Sequence, residues 1–460
     1  MIPVTSRSSQ HLAVFGLGGS GRAAARALLA GGATVTAWDD NAESRAEAAN
    51  ENIPLVDLTT ADWTDITALV LSPGIPLTHP QPHKVVDCAR DAGRPVIGDI
   101  ELLVENNDGA ALIGITGTNG KSTTSALIHH VLKTAGVAVQ IGGNFGPPVL
   151  GLESAAVQDT IILELSSYQL DLTQSATFDI AVLLNVTPDH LDRHGDMAGY
   201  VAAKKRIFRT RMDADRQIAV IGIDDDYGIA VLNELAAESG WLVTPISTER
   251  PLDTGVWVID GTLHDSEGHS CPIGHIDTLR GRHNWQNAAA TWAVARARGL
   301  SPEQIAAGFE TYPGLPHRLE TVGEIDGIRY VNDSKATNGE ATARALSSFD
   351  NIYWIAGGVS KEDGLTPALP YLSHVRHAFL IGEAADTFES EISGKVPVTQ
   401  SGDLETALRD ASARAASDGA EAPVILLSPA CASFDQYRNF TLRGDHFRDL
   451  VNARRDGGAA

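Results

Sequence analysis

Leu112-Ile113-Gly114-Ile115-Thr116-Gly117-Thr118-Asn119-Gly120-Lys121-Ser122-Thr123, followed by Ser125–Lys133, is the stretch whose reading decides the fold. Leu112–Ile115 reads as a buried strand and Ser125–Lys133 as a helix, so the glycine loop sits where a strand turns into a helix. Backbone N–H groups and the positive end of the helix dipole then point at one place, which suits a phosphate. Lys121 can reach the outer phosphates of ATP, and Ser122 or Thr123 can hold magnesium. The Walker spacing wants a glycine at position 115, where this chain has Ile115. A tight turn carrying a surface lysine is the plainer alternative, and the flanking strand and helix argue against it.

Outward from this loop the same alternation continues. Apolar, β-branched runs at Leu12–Phe15, Thr34–Trp38, Ala68–Leu71, Leu112–Ile115, Ile161–Leu165, Ile180–Leu184, Ile218–Ile221, Ile352–Ile355, Ala378–Ile381 and Val424–Leu427 alternate with Ala-rich helical stretches. This predicts an α/β protein with parallel sheets covered by helices. At 460 residues the chain suits about three units. We expect blocks at 1–99, 100–314 and 315–460, the last beginning after the turn Tyr312–Pro316.

Acidic residues outnumber basic ones 58 to 35, for a formal charge of −23. That excludes a partner gripped by its nucleic-acid backbone. It also means any nucleotide must be met by local cations, helix N-termini or metal. The three cysteines, Cys88, Cys271 and Cys431, have no CxxC spacing, which suggests neither a zinc cluster nor a disulfide framework. With no apolar run of about 18 residues and no signal-like start, a cytoplasmic protein without membrane insertion is expected, and a monomer.

Two further strands deliver chemistry beside the loop. Ile161–Leu165 puts Glu164 at its carboxyl end, the side where open α/β sheets bind ligands. The run Ala181–His190 brings Asp189 and His190 to the same rim. A carboxylate there can hold magnesium bridging phosphates. Near the N-terminus, Gly16–Gly21 fits G-x-G-x-x-G between a strand and the helix Arg22–Ala30, with Asp39 and Asp40 about 20 residues on.

Taken together, Gly117–Thr123, Glu164–Gln169, Asn185–Arg193, His283-Asn284 with Asn287, Pro316–Arg318, Asn332–Asn338 and Ser428–Gln436 resemble the Mur ligase family, in order and over all three blocks. The resemblance implies three domains: an N-terminal Rossmann-like UDP-binding domain, a central P-loop-like ATPase domain and a C-terminal Rossmann-like domain. Ser166–Leu170 and Ser428–Gln436 are most similar to the branch that adds D-glutamate to UDP-N-acetylmuramoyl-L-alanine. An acyl-phosphate route with ATP and two Mg2+ ions is implied.

Residue roles follow from the same resemblance. Gly117, Thr118, Asn119, Gly120, Lys121, Ser122, Thr123, Asn284, Asn287, Arg318, Asp333 and Lys335 are expected at ATP. Ser122, Thr123, Glu164, His190 and Lys204 are expected at the metals. Lys204 matches a lysine that is carbamylated in similar enzymes, with Lys205 as the alternative. Lys121, His190, Lys204 and Arg318 are the expected catalytic set. Gly19, Ser20, Asp39, Asp40, Ser72, Pro73, Gly74, Asn144, Ser166 and His190 are expected at the UDP substrate, and Thr337, Lys361, Ser433 and Phe440 at D-glutamate. Asn284 can also read as a helix cap.

Rival readings explain less. An NAD-dependent dehydrogenase accounts for Gly16–Gly21 but not for Gly117–Thr123 or Asn332–Asn338. A P-loop switch or motor would want the Walker glycine and no UDP-binding block. A related Mur ligase, or one adding L-glutamate, stays as the near alternative.

Overall fold

The computed structural model describes residues 1–211, 217–238, 240–360 and 364–457. The chain divides into two compact units, Met1–Ile273 with Asn284–Tyr312 and Gly274–His283 with Pro313–Ala460. The first unit holds two sheets and the second holds one. Among the described residues no helix is long and apolar enough to cross a membrane.

In the first unit, His11–Phe15 pairs in parallel with Thr34–Trp38 on one side and Ile66–Leu71 on the other, and Val96–Ile97 completes a four-stranded sheet. The helix Gly19–Ala30 buries Ala23, Ala24, Ala25, Ala27 and Leu28, small side chains that let it lie close to the strands. Closeness is obligatory at its start. A Cβ on Gly21 would stand 1.7 Å from the Gly16 carbonyl oxygen, and Gly16 itself has φ +90°, so glycine is required at both positions.

The larger sheet has nine strands in the order Ser270–Pro272, Thr262–Asp265, Val256–Ile259, Trp241–Ser247, Gln217–Gly222, Ile180–Leu183, Ala111–Thr116, Thr160–Glu164, Val139–Gly143. From Trp241–Ser247 to Val139–Gly143 every pairing is parallel. Ile115 stands opposite both Glu164 and Val182, so the three central strands end together on one rim. The helix Lys121–Thr134 anchors the loop that leaves this rim by burying Leu127, Ile128, Val131 and Leu132. Each such side chain contributes roughly 1.5–3 kcal/mol.

The second unit carries six strands, Glu320–Ile325, Ile328–Asn332, Val424–Leu427, Ile352–Gly357, Val375–Ile381 and Val398–Gly402, all parallel but for the first pair. Its core has one face built on Trp354, Phe388 and Leu426 and another on Tyr330, Tyr353, Phe379 and Phe447.

All ten expected strands appear with ends within three residues of the expectation, and the α/β class with mainly parallel sheets holds. Two differences have clear causes. The antiparallel run Val256–Pro272 was unforeseen, because its strands are only three or four residues long. The helix that Asn284 could have capped starts at Arg282, so Asn284 lies inside its first turn and is no cap.

A buried carboxylate stitches the small sheet's last helix to the larger sheet. Glu101, 2% exposed on the helix Asp99–Glu105, accepts from the backbone N–H of Gln174 (2.7 Å), Ser175 (2.7 Å) and Ala176 (3.2 Å), and from the Ser175 hydroxyl. Glu101→Ala would leave these donors unmet. We expect it to destabilise the first unit by about 3 kcal/mol, read as a lower urea midpoint, with Glu101→Asp losing less.

Candidate active site

The rim of the nine-stranded sheet gathers the expected phosphate and metal residues. Gly117 (φ +149°) and Gly120 (φ +82°) shape the loop. A Cβ on Gly120 would lie 2.4 Å from Asn287 Oδ1. That oxygen accepts from the Thr124 hydroxyl at 3.0 Å, and Asn287 Nδ2 donates to Asn284 Oδ1 at 3.1 Å. Both asparagines thus brace the first turn of the helix that follows the loop. Thr118 N–H donates to Asn185 O and Asn119 N–H to Asn185 Oδ1, each at 2.9 Å, tying the loop to the neighbouring strand's end.

Two lysines converge on the loop. Lys121 Nζ donates to the carbonyls of Gly117 and Thr118, both at 2.8 Å. Lys204, from the helix Met197–Lys205, is 1% exposed and donates to the same Gly117 carbonyl at 2.8 Å. Its Nζ also lies 4.5 Å from the Tyr200 ring centroid. Burial, and next the nearby Lys121 charge, push its amine well below the usual lysine value, while Asp189 works weakly the other way. Its neighbour Lys205 is partly exposed and ion-paired to Glu234, which separates the two candidates.

Glu164 ends its strand 1% exposed. Asn144 Nδ2 donates to its Oε1 at 2.7 Å. The other oxygen, Oε2, is buried without a hydrogen-bond partner. An orphaned carboxylate oxygen costs free energy unless something positive meets it. Beside a phosphate loop with the Ser122 and Thr123 hydroxyls, that chemistry fits Mg2+.

His190 adopts φ +53°. Its Nδ1 is 3.0 Å from the Tyr168 hydroxyl and its Nε2 3.4 Å from Asp189 Oδ2. Burial depresses its pKa, which keeps the ring neutral and able to ligate; Asp189 opposes that shift, and Lys121 and Lys204 add to it. Ser166 caps the short helix Ser167–Asp171 in a reciprocal box with Gln169.

On the four-stranded sheet, Gly19 and Ser20 open the helix Gly19–Ala30. Asp39 is committed to the loop: its Oδ2 accepts from Leu17 N–H at 2.5 Å and its Oδ1 from Asn41 N–H at 2.8 Å. Asp40 stays exposed and pairs with His83 at 3.0 Å. The Ser72 hydroxyl donates to Gly16 O at 2.7 Å, and Gly74 lies exposed beyond Pro73. Sequence reasoning missed Asp99, which lines a small pocket with Ser20, Ser72 and Pro73 and whose carboxyl burial pushes up to about 6.

In the second unit, Asp333 is buried, accepting from Ser428 Oγ at 2.8 Å and Leu319 N–H at 3.2 Å. Burial pushes its carboxyl up to about 7, against those bonds and the Arg318 and Arg443 charges. Lys335 Nζ stands 3.9 Å from the Phe440 ring centroid. Thr337 is half-buried, and the Ser433 hydroxyl is buried with no partner. Lys361 lies outside the described residues.

The site chemistry has counterparts among known proteins. The Mur ligase middle domain model matches residues 115–295, and the Mur ligase glutamate ligase domain model matches 317–431. A UDP-N-acetylmuramoylalanine--D-glutamate ligase from Caulobacter sp. (strain K31) is 49% identical, over 98% of each chain. One of the same name from Phenylobacterium zucineum (strain HLK1) is 48% identical over 100% of this chain and 99% of its own. The solved UDP-N-acetylmuramate-alanine ligase MurC from Thermotoga maritima shares the fold, with a TM-score of 0.57 at 14% identity over 96% of this chain and 99% of its own. Two family models that together span more than half the residues, and full-length relatives at nearly half identity, place this chain in the Mur ligase family.

Proposed function

We propose that this chain is the ATP-dependent ligase that joins D-glutamate to UDP-N-acetylmuramoyl-L-alanine, in the cytoplasmic steps of peptidoglycan synthesis. The observation that carries the reading is the rim where Gly117–Thr123, Lys121 and the orphaned Glu164 oxygen meet. Its full-length relatives bear that activity in their names.

A carboxylate is a poor electrophile, so the alanyl carboxylate first attacks the γ-phosphate and becomes an acyl phosphate. The amine of D-glutamate then displaces phosphate through a tetrahedral intermediate. Several anions meet at one point in a protein at −23, so charge neutralisation dominates. Lys121 serves the phosphates. Ser122, Thr123 and Glu164 would hold one magnesium ion, and His190 and Lys204 a second. Such ions supply charge neutralisation and orientation of phosphate oxygens.

Lys204 would act as its carbamate. The neutral amine adds to CO2 and loses a proton, turning a buried uncharged group into an anion suited to a metal. Burial and the Lys121 charge favour that neutral amine. Gly19, Ser20, Asp40, Ser72 and Asn144 are assigned to the UDP substrate, Arg318, Asp333 and Lys335 to ATP, and Thr337, Lys361, Ser433 and Phe440 to D-glutamate. Asp39 acts indirectly, by fixing the loop.

Hydroxylamine tests the acyl phosphate. Enzyme with ATP, magnesium and UDP-N-acetylmuramoyl-L-alanine, without D-glutamate, should yield the substrate hydroxamate. Amide formation with D-glutamate but no hydroxamate at any hydroxylamine concentration would rule out a captured acyl phosphate.

A further inference from the structure

Arg443 is the largest buried cation of the second unit that the chemistry above leaves without a role. It lies on the helix Phe440–Gly457 and is 1% exposed. Among the described residues no carboxylate bonds its guanidinium, which donates from Nε to Ser334 Oγ (3.0 Å), from Nη2 to Ser334 O (2.9 Å) and Cys431 O (3.0 Å), and from Nη1 to Gly357 O (3.5 Å). Burial lowers its pKa to about 10, and it stays charged. One planar fork therefore holds the carboxyl ends of three different strands, two at the loops that follow them and one at its last residue, Gly357.

Those loops also touch each other. Val359 N–H donates to Ala432 O at 2.9 Å, and Ala432 N–H returns to Val359 O at 3.0 Å. Gly358, at φ +128°, passes so close that a Cβ there would lie 2.3 Å from Ala432 O and 3.2 Å from Arg443 Nη1. The Ser334 hydroxyl donates onward to Phe440 O at 2.8 Å, which links the first loop to the start of Arg443's own helix. Thr337, Ser433 and Phe440 all sit on this keyed assembly, and the buried Ser433 hydroxyl has no partner within it.

We infer that Arg443 is a positioning residue for the amino-acid substrate, keying the loops at Ser334, Gly357 and Cys431 so that their hydroxyl and amide donors are set to receive a dicarboxylate. The inference rests on the assignment of these loops to D-glutamate. A lysine cannot substitute, because a point charge with three donors does not span carbonyls on three loops as a rigid five-donor fork does. The loss should therefore fall on one substrate rather than on the reaction as a whole.

Arg443→Lys should raise the KM for D-glutamate about tenfold or more, since sub-ångström misplacement is costly. KM for the UDP substrate should stay within about twofold, KM for ATP should rise less than that for D-glutamate because Asp333 and Lys335 flank the keyed Ser334, and at saturating ATP hydroxamate should form without D-glutamate at the parental rate. Amide exchange at Val359 and Ala432 should quicken while Ile425 and Leu426 stay protected. A folded Arg443→Lys protein with parental D-glutamate KM, alongside a Ser433→Ala protein whose D-glutamate KM rises, would overturn the role of Arg443 and leave the site intact. An unchanged D-glutamate KM in both Ser433→Ala and Thr337→Val would instead overturn the assignment of the loops. Should Arg443→Lys fail to fold, Ser334→Ala carries the test by removing the Nε acceptor: a raised D-glutamate KM supports the keying, and an unchanged one overturns it.

Discussion

Lys121→Ala will abolish ATP-dependent phosphate release, by at least about 10³-fold, while affinity for the UDP substrate stays within about twofold. The magnitude follows from one unit charge at about 4 Å from a phosphate oxygen, worth roughly 4 kcal/mol at an effective dielectric of 20 and so about three decades in rate. Nothing global compensates in a chain with 58 acidic residues. The ammonium is held on the loop itself, by the carbonyls of Gly117 and Thr118, whereas Gly16–Gly21 belongs to a separate sheet. Kinetics of phosphate release and calorimetric titration of the UDP substrate separate the two effects. Loss of UDP-substrate affinity in a folded Lys121→Ala protein would contradict this division.

Lys204→Ala carries the second large effect, a loss of roughly 10²–10³ in kcat, partly restored by short-chain carboxylates. The side chain is fully buried on a helix and reaches the Gly117 carbonyl, so its removal opens a space that acetate or propionate can enter. Restoration by an anion, and not by an alkylamine, identifies the missing group as a carboxylate and hence a carbamate. It also excludes a merely structural role, because a packing defect would not recover with carboxylate. Unaided full activity of Lys204→Ala would remove the carbamate.

The sheet that carries the phosphate loop was readable because its strands are buried on both faces and so appear as continuous apolar runs, such as Ile161–Leu165 and Ile180–Leu184. The rim chemistry was readable for a related reason. Glu164 ends one such run opposite Ile115, and the strand that leads to His190 ends at Leu183 opposite Thr116, so both residues come to the rim that carries the loop. The strands Val256–Ile259 and Thr262–Asp265 were overlooked, although Asp260-Gly261 between them is a known hairpin turn signal.

Other features depend on distant partners and leave no local mark. Asn284 braces Asn287 from inside a helix rather than capping it. Lys204 and Lys205 are equivalent on paper, and only packing buries one and ion-pairs the other. Arg443 sits in a helix of mixed charge, and its three loops lie 12 to 109 residues away in sequence.

The most direct measurement follows phosphate release from ATP with UDP-N-acetylmuramoyl-L-alanine and each enantiomer of glutamate, with the product identified by mass. The expected result is one phosphate released per dipeptide formed with D-glutamate, and background release with the L form. Turnover with L-glutamate alone, or dipeptide formed without ATP consumption, would contradict it.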